Sequence, residues 1–257
     1  MPRATSLVTR ATRLVRAAAH LAQGLATLAW VFPRATRARR ERLMRAWDGK
    51  LLRIFGVRVS VDAPPGFDLA HAKRLYIGNH ISWLDIFVLQ AITAARFVAK
   101  SELAAGAVFG RLVRQSGTVF IERARRADTR RINASLREHL VQGEIIAVFP
   151  EGATSDGREV RKFHANLLQA ALDAEAQIVP FCLRYTDARG HYTDAACYVG
   201  EMTLWHSLKR ILCEGTVHCE LTLFEPLDIQ GRDRRQLAHA AETLVRQRLQ
   251  GHTFRDR

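Results

Sequence analysis

Ile145 to Phe149 is an unbroken apolar run, and a strand of that kind belongs where both faces of a sheet are covered. It is one of a series. Val57, Val59 and Val61 alternate as in a strand and are closed by Pro64-Pro65-Gly66. Leu75 to Gly78, Phe97 to Ala99, Thr118 to Ile121, Ile178 to Leu183 and Thr216 to Leu223 read the same way, with Pro180 marking its strand as an edge or a bulge. Between them lie helical patterns at Ile86–Ile92 and Val108–Arg114. Ile132, Leu136 and Leu140 form a face with Asp128 as N-cap and Gly143 as stop. Val160, Phe163, Leu167, Leu168 and Leu172 form the next, and Asp233 to Leu249 the last. Short-range alternation of strand and helix predicts an α/β fold with a mixed, mostly parallel sheet flanked by helices. The 257 residues fit one such domain with an appendage, divided as an appendage over 1–50 and the main domain over 51–257.

The appendage is basic and amphipathic. Leu14, Ala18, Leu21, Leu25 and Leu28 recur at spacings of three and four, on one helical face. The apolar stretch from Ala17 to Phe32 is shorter than the roughly 20 residues a spanning helix needs. Arginines at positions 34, 37, 39, 40, 42 and 45 follow, each worth about 1 kcal/mol of attraction near an anionic leaflet. This predicts an N-terminal membrane-associated helical segment lying on or half within the bilayer. A signal peptide lacks a clear A-x-A site here, and a helix packed on the protein's own body is the other reading.

The formal net charge is +14, which suits an anionic membrane surface, an acidic carrier protein or nucleic acid. An arginine-rich proteome would also produce it. No helix-turn-helix, RNP-like or zinc-finger pattern is present, so no specific nucleic-acid partner is expected. Cys182, Cys197, Cys213 and Cys219 form no C-x-x-C pair and read as buried or half-buried thiols. No metal site is expected.

Three segments carry candidate chemistry. In Asn79-His80-Ile81-Ser82-Trp83-Leu84-Asp85 a strand ends, a helix begins, and an aspartate follows a histidine by five positions. A carboxylate in the first helical turn can reach back to the imidazole, as a base is oriented by its partner. A capping aspartate beside a solvated histidine fits the spacing as well. Phe149-Pro150-Glu151-Gly152-Ala153-Thr154-Ser155-Asp156-Gly157 follows a buried strand directly, where α/β proteins bind ligands. An ordinary strand-to-helix turn is the other reading. Phe120-Ile121-Glu122-Arg123 brings a guanidinium to a strand end, suited to phosphate or to a solvated loop.

Taken in order, Asn79-His80 with Asp85, Phe120 to Arg123, Phe149 to Gly152, and Val179-Pro180 resemble the four motif blocks of glycerolipid acyltransferases, bacterial 1-acyl-glycerol-3-phosphate acyltransferases above all. The resemblance spans Leu75 to Tyr185. It implies that His80 takes the proton of an acceptor hydroxyl, with Asp85 holding it. Arg123, Glu151 and Gly152 would surround the acceptor, with Thr154 and Ser155 beside them, and Val179-Pro180 would serve the acyl chain or donor. It further implies acyl transfer from acyl-CoA or acyl-carrier protein, as co-substrate rather than cofactor, to a membrane lipid acceptor such as lysophosphatidic acid. The place of action would be the cytoplasmic face of the inner membrane, in phospholipid biosynthesis. There are departures. Ala153-Thr154-Ser155 stands where many members have Thr-Arg, and Glu122 where aspartate is common. Pro-Glu-Gly-x-Thr-Ser-Asp-Gly also looks like variants that acylate lyso-ornithine lipid. A basic lipid- or nucleic-acid-binding module and a catalytically dead relative are the non-enzyme readings.

Overall fold

The computed structural model describes residues 5–69, 71–100, 119–121 and 126–251. Seven strands form one sheet: β1 (Val57–Asp62), β2 (Arg74–Gly78), β3 (Arg96–Lys100), β4 (Val119–Ile121), β5 (Ile145–Val148), β6 (Gln177–Thr186) and β7 (Val217–Leu223). Their order is β1-β7-β6-β2-β5-β3-β4. The neighbours from β6 to β4 run parallel, β6 meets β7 antiparallel, and β1 runs parallel to β7. The helices are α1 (Leu7–Ala26), α2 (Arg37–Phe55), α3 (Leu84–Thr93), α4 (Arg126–Val141), α5 (Leu168–Asp173), α6 (Leu204–Cys213) and α7 (Arg234–Gln250). This is the mixed, mostly parallel α/β sheet that the alternation of patterns predicts.

The period of two along each strand sends alternate side chains to two cores. Tyr76, Ala147, Val179, Phe181, Leu183 and Cys219 face α2, α3 and α6, packing with Leu52, Phe55, Leu84, Val88 and Ile211. Leu75, Ile77, Ile146, Val148 and Ile178 face the other way, onto Leu136, Leu140, Leu168, Leu237 and Val245. Two covered faces explain why β2 and β5 are apolar without interruption.

Pro180 is not at an edge. It lies on β6, between β7 and β2, in register with Ile77. Its carbonyl accepts from Phe224 N at 3.0 Å, so its nitrogen also points toward β7, where the β6–β7 ladder has ended at Phe181 and Leu223. The missing N–H is thus not called on by β2. Val160 and Phe163 are not helical either. They lie buried in an extended segment, and the helix is confined to α5 after a short 3-10 turn at Ala165–Leu167. Glu242 on α7 accepts from Phe163 N, and Arg246 donates to Val160 O, both at 2.9 Å. Side chains from α7 thereby supply partners that a helix would have supplied from its own backbone. Asp128 sits inside α4 rather than at its cap, and α6 was not anticipated. The helix expected at Val108–Arg114 lies outside the described residues.

The division at residue 50 falls within α2, which runs on to Phe55 and buries Leu51, Leu52, Ile54 and Phe55. The preceding helix is pinned as well. Arg13 donates to Glu214 O at 2.9 Å and Gly215 O at 2.6 Å, and Thr5 donates to Leu212 O at 2.6 Å. His20 stacks on Trp47 of α2, with ring centroids 4.7 Å apart. Leu14 and Leu28 turn inward, whereas Ala18 is exposed. The apolar side chains open to solvent are a different set: Leu7, Val8, Val15 and Trp30, between 69% and 79% exposed. No helix among the described residues is long and apolar enough to cross a membrane.

Glu144, 5% exposed, joins α2, α4 and β3 at the foot of the sheet. Arg96 lies 2.8 Å from its carboxylate, His139 2.9 Å and Arg37 3.8 Å. The His139 approach is close in distance but not aligned as a hydrogen bond.

Candidate active site

The carboxyl ends of β2 and β5 lie side by side in the sheet, and both lead directly into motif loops. Gly78 ends β2 where no side chain would fit: a Cβ there would lie 2.3 Å from the Phe181 carbonyl oxygen. Asn79 then locks the strand end to β6. Its Nδ2 donates to Leu183 O at 2.9 Å, and its Oδ1 accepts from Leu183 N at 2.8 Å. The chain turns at His80 and enters α3, whose first turn carries Asp85.

Asp85 is fully buried. Its Oδ2 accepts from His80 Nδ1 at 2.8 Å and from the amides of Ile81 and Ser82 at 2.7 and 2.9 Å. Its Oδ1 accepts from the Tyr185 hydroxyl at 2.7 Å. Four donors fix the orientation of the carboxylate. Asp85 does not cap α3: Trp83 holds the N-cap position without a side-chain cap bond, and the amides that Asp85 accepts from precede the helix, so of the two readings of the spacing the pairing with His80 is the one observed. With Nδ1 committed to Asp85, Nε2 of His80 carries the free lone pair. It has no partner among the described residues, and the side chain is 17% exposed. Phe149 holds the other side of the ring by stacking at 3.8 Å. Such an imidazole can accept a proton from a hydroxyl brought in by a substrate.

The second loop is built onto the first. Ser155 N donates to His80 O at 2.8 Å, its hydroxyl donates to the same oxygen at 3.3 Å, and Gly157 N donates back to that hydroxyl at 3.2 Å. The Thr154 hydroxyl donates to Tyr198 O. Both hydroxyls are thus engaged by the protein. Gly152 takes a φ of +74°, open to a residue without Cβ, and it is exposed. Glu151 is 6% exposed, and neither carboxylate oxygen has a hydrogen-bond partner among the described residues. Burial raises its pKa to about 8, against the pull of the Arg161 and His80 amides, which face it without reaching hydrogen-bond geometry.

Val179 packs wholly inside the core beside Tyr76 and Phe181, and Pro180 is buried next to it, so neither is open to a ligand. Arg123 lies outside the described residues. His80, Asp85, Glu151, Gly152, Thr154 and Ser155 are brought together. Sequence reasoning missed Tyr185, Asn79's clamp and the Phe149 stack. It also missed Trp83, whose indole donates to Ser207 Oγ on α6 at 3.0 Å.

An acyltransferase is the class that this fold and ordered set of loops define. A family model described as Acyltransferase matches residues 68–184. The chain is 37% identical over 242 residues to a lyso-ornithine lipid O-acyltransferase of Pseudomonas aeruginosa, covering 90% of each protein. It is 32% identical over 251 residues to the protein of the same description from Brucella abortus, covering 92% of each. A 1-acyl-sn-glycerol-3-phosphate acyltransferase of Neisseria gonorrhoeae is 40% identical over 142 residues, 53% of this chain and 56% of that one. The crystal structure of the 1-acyl-sn-glycerophosphate acyltransferase PlsC from Thermotoga maritima superposes with a TM-score of 0.71 over 98% of this chain and 97% of that one, at 19% identity, and so shares the fold. The chain belongs to the acyltransferase family whose members acylate lysolipids. It is an enzyme of lipid metabolism that takes a lipid acceptor and an acyl donor as substrates.

Proposed function

We propose that this acyltransferase moves a fatty acyl group from a thioester onto the free hydroxyl of lyso-ornithine lipid. What carries the choice of acceptor is the loop after Glu151-Gly152. Where glycerol-phosphate acyltransferases commonly place Thr-Arg directly after Pro-Glu-Gly, this loop has Ala153-Thr154-Ser155, and the Thr154 and Ser155 hydroxyls are bonded to Tyr198 O and His80 O. The Pseudomonas and Brucella relatives, aligned in sequence over nearly the whole chain, bear the lyso-ornithine description. Lysophosphatidic acid is the second reading, favoured by Arg123 and by the Neisseria relative, aligned over 142 residues of the chain.

In the proposed reaction, His80 Nε2 takes the proton of the acceptor hydroxyl while Asp85 stabilises the imidazolium. The hydroxyl oxygen attacks the thioester carbonyl carbon. The tetrahedral intermediate collapses with loss of the C–S bond, and the imidazolium returns its proton to the departing thiolate. Glu151, protonated at neutral pH, presents a hydrogen-bond donor beside this site, and Gly152 lets the acceptor approach the backbone. Acyl-CoA or acyl-carrier protein is the donor, and the cationic surface suits both. The reaction takes place on the cytoplasmic face of the inner membrane, with residues 1–50 as the anchoring segment. Val8, Val15 and Trp30, exposed on that segment, support the anchoring role.

The test is acyl transfer from radiolabelled acyl-CoA and acyl-carrier protein to lyso-ornithine lipid and lysophosphatidic acid, with His80→Ala alongside. A His80-dependent product from lyso-ornithine lipid alone is expected. A product from lysophosphatidic acid alone would overturn the acceptor.

A further inference from the structure

Only one oxygen of Asp85 faces the imidazole. Oδ2 collects His80 Nδ1 and the two amides, whereas Oδ1 has a single partner, the Tyr185 hydroxyl at 2.7 Å. Tyr185 lies one hundred positions further along the chain, on β6, and is 2% exposed. Its reach is set by the Asn79 clamp, which fixes the end of β2 to Leu183, two residues before it. A phenylalanine would fill the same space without burying a hydroxyl, which costs free energy unless the hydroxyl is well bonded. Here the bond is to a charged oxygen, the stronger kind.

We propose that Tyr185 is a positioning residue for acyl transfer: by donating to Asp85 Oδ1 it turns Oδ2 toward His80 and limits the negative charge the imidazole feels. This rests on His80 being the base. Burial, reinforced by the Asp85 charge, raises the Tyr185 pKa well above that of a free phenol. The hydroxyl is therefore a donor throughout the working pH range. The other titratable groups facing this cluster are the Cys219 thiol on β7, beside the Tyr185 hydroxyl, and Glu151 after β5 with Arg161 near it. Burial raises the Cys219 thiol far above its usual range, and Glu151 holds its proton to about 8. Both groups therefore lose their protons on the alkaline side, which leaves the acidic limb of the rate profile free of them.

The experiment compares Tyr185→Phe, and 3-fluorotyrosine installed at position 185, with the unmodified full chain. It records kcat, KM and kcat/KM against pH, and it follows the proton uptake of the His80 ring by NMR without substrate. Losing the donor leaves more charge on Asp85, so in Tyr185→Phe the acidic limb and the His80 midpoint move to higher pH. There kcat falls roughly ten-fold with KM for the lysolipid unchanged, as expected for a lost hydrogen bond to a charged group. The fluorinated phenol is a stronger donor, so it moves both to lower pH. Shifts of opposite sign support the proposal; no shift, or shifts of one sign, overturn it. Should Tyr185→Phe fail to fold, the fluorinated protein decides alone, because it keeps the hydroxyl and the packing. Turnover retained in His80→Ala would remove the base and leave the NMR result standing, so the two failures are distinct.

Discussion

The imidazole of His80 lies flat against the ring of Phe149, with planes 8° from parallel, and Phe149 is itself bracketed by Phe97 and Phe181 at 5.8 and 5.9 Å. An aromatic stack of this kind fixes the one ring rotation that the Nδ1–Asp85 bond leaves open. Phe149→Leu keeps the volume roughly and loses the flat surface. Its kcat is expected to fall about ten- to a hundred-fold, with the melting temperature little changed, as read by steady-state kinetics and calorimetry.

His80→Ala removes the proposed base and Asp85→Asn removes the charge of its partner. Each is expected to lower kcat by about 10²- to 10⁴-fold. Lipid binding, measured with lysolipid-loaded vesicles, should survive both. Activity near that of the parent in His80→Ala would end the base assignment.

Glu151 makes stability fall as pH rises. Its folded pKa, about 8, stands above the 4.5 of a free glutamate, so between these values the folded state holds a proton that the unfolded chain has lost. The contribution is complete below 4.5 and is lost progressively up to 8, at no more than about 1.4 kcal/mol per pH unit. Asp48, buried in α2 with Oδ2 unpartnered, acts in the same direction. Denaturant melts from pH 5 to 8 should show a shallower decline in Glu151→Gln than in the parent.

Gly78→Ala would drive a methyl into the Phe181 carbonyl, where the two strands cannot part without breaking the ladder. A loss of roughly 2–4 kcal/mol of stability is expected from such overpacking against backbone. Chemical denaturation measures it; a neutral outcome would mean that β2 and β6 can separate at the site.

Val8→Asp combined with Trp30→Ala alters side chains that are 76% and 73% exposed. Co-sedimentation with anionic vesicles should weaken while the melting temperature holds. Undiminished sedimentation would place the membrane contact on the catalytic domain.

β5 and β6 were legible because two covered faces leave a plain signature, five or six apolar residues in a row, and β1 because Val57, Val59 and Val61 alternate. Pro180 misled for a local reason: its nitrogen faces the spot where β7 has already left, which no window of residues records. Val160 and Phe163 carry helical spacing, yet their backbone partners sit on α7, some 80 positions away. The α6 signal was present in Leu204, Leu208, Ile211 and Leu212 behind Thr203, whose side chain accepts from His206 N. At the site, residues joined within one turn, His80 and Asp85, could be read together. Tyr185 and Phe149 could not, because their roles depend on which strands lie adjacent.

The clamp on α1 has a consequence for the order of assembly. Arg13 and Thr5 bond to carbonyls 201 to 207 positions downstream, and β1 finds its sheet partner only in β7. While the chain is being made, α1 and β1 wait for these partners until residues 212–223 have followed, whereas α2 packs on α3 much earlier, through Trp47 on Phe87 and Phe55 on Trp83. Closing loops of that span is slow compared with local helix formation. The first helix thus forms before its docking carbonyls exist, and β7 completes a part of the fold that α1 and β1 began.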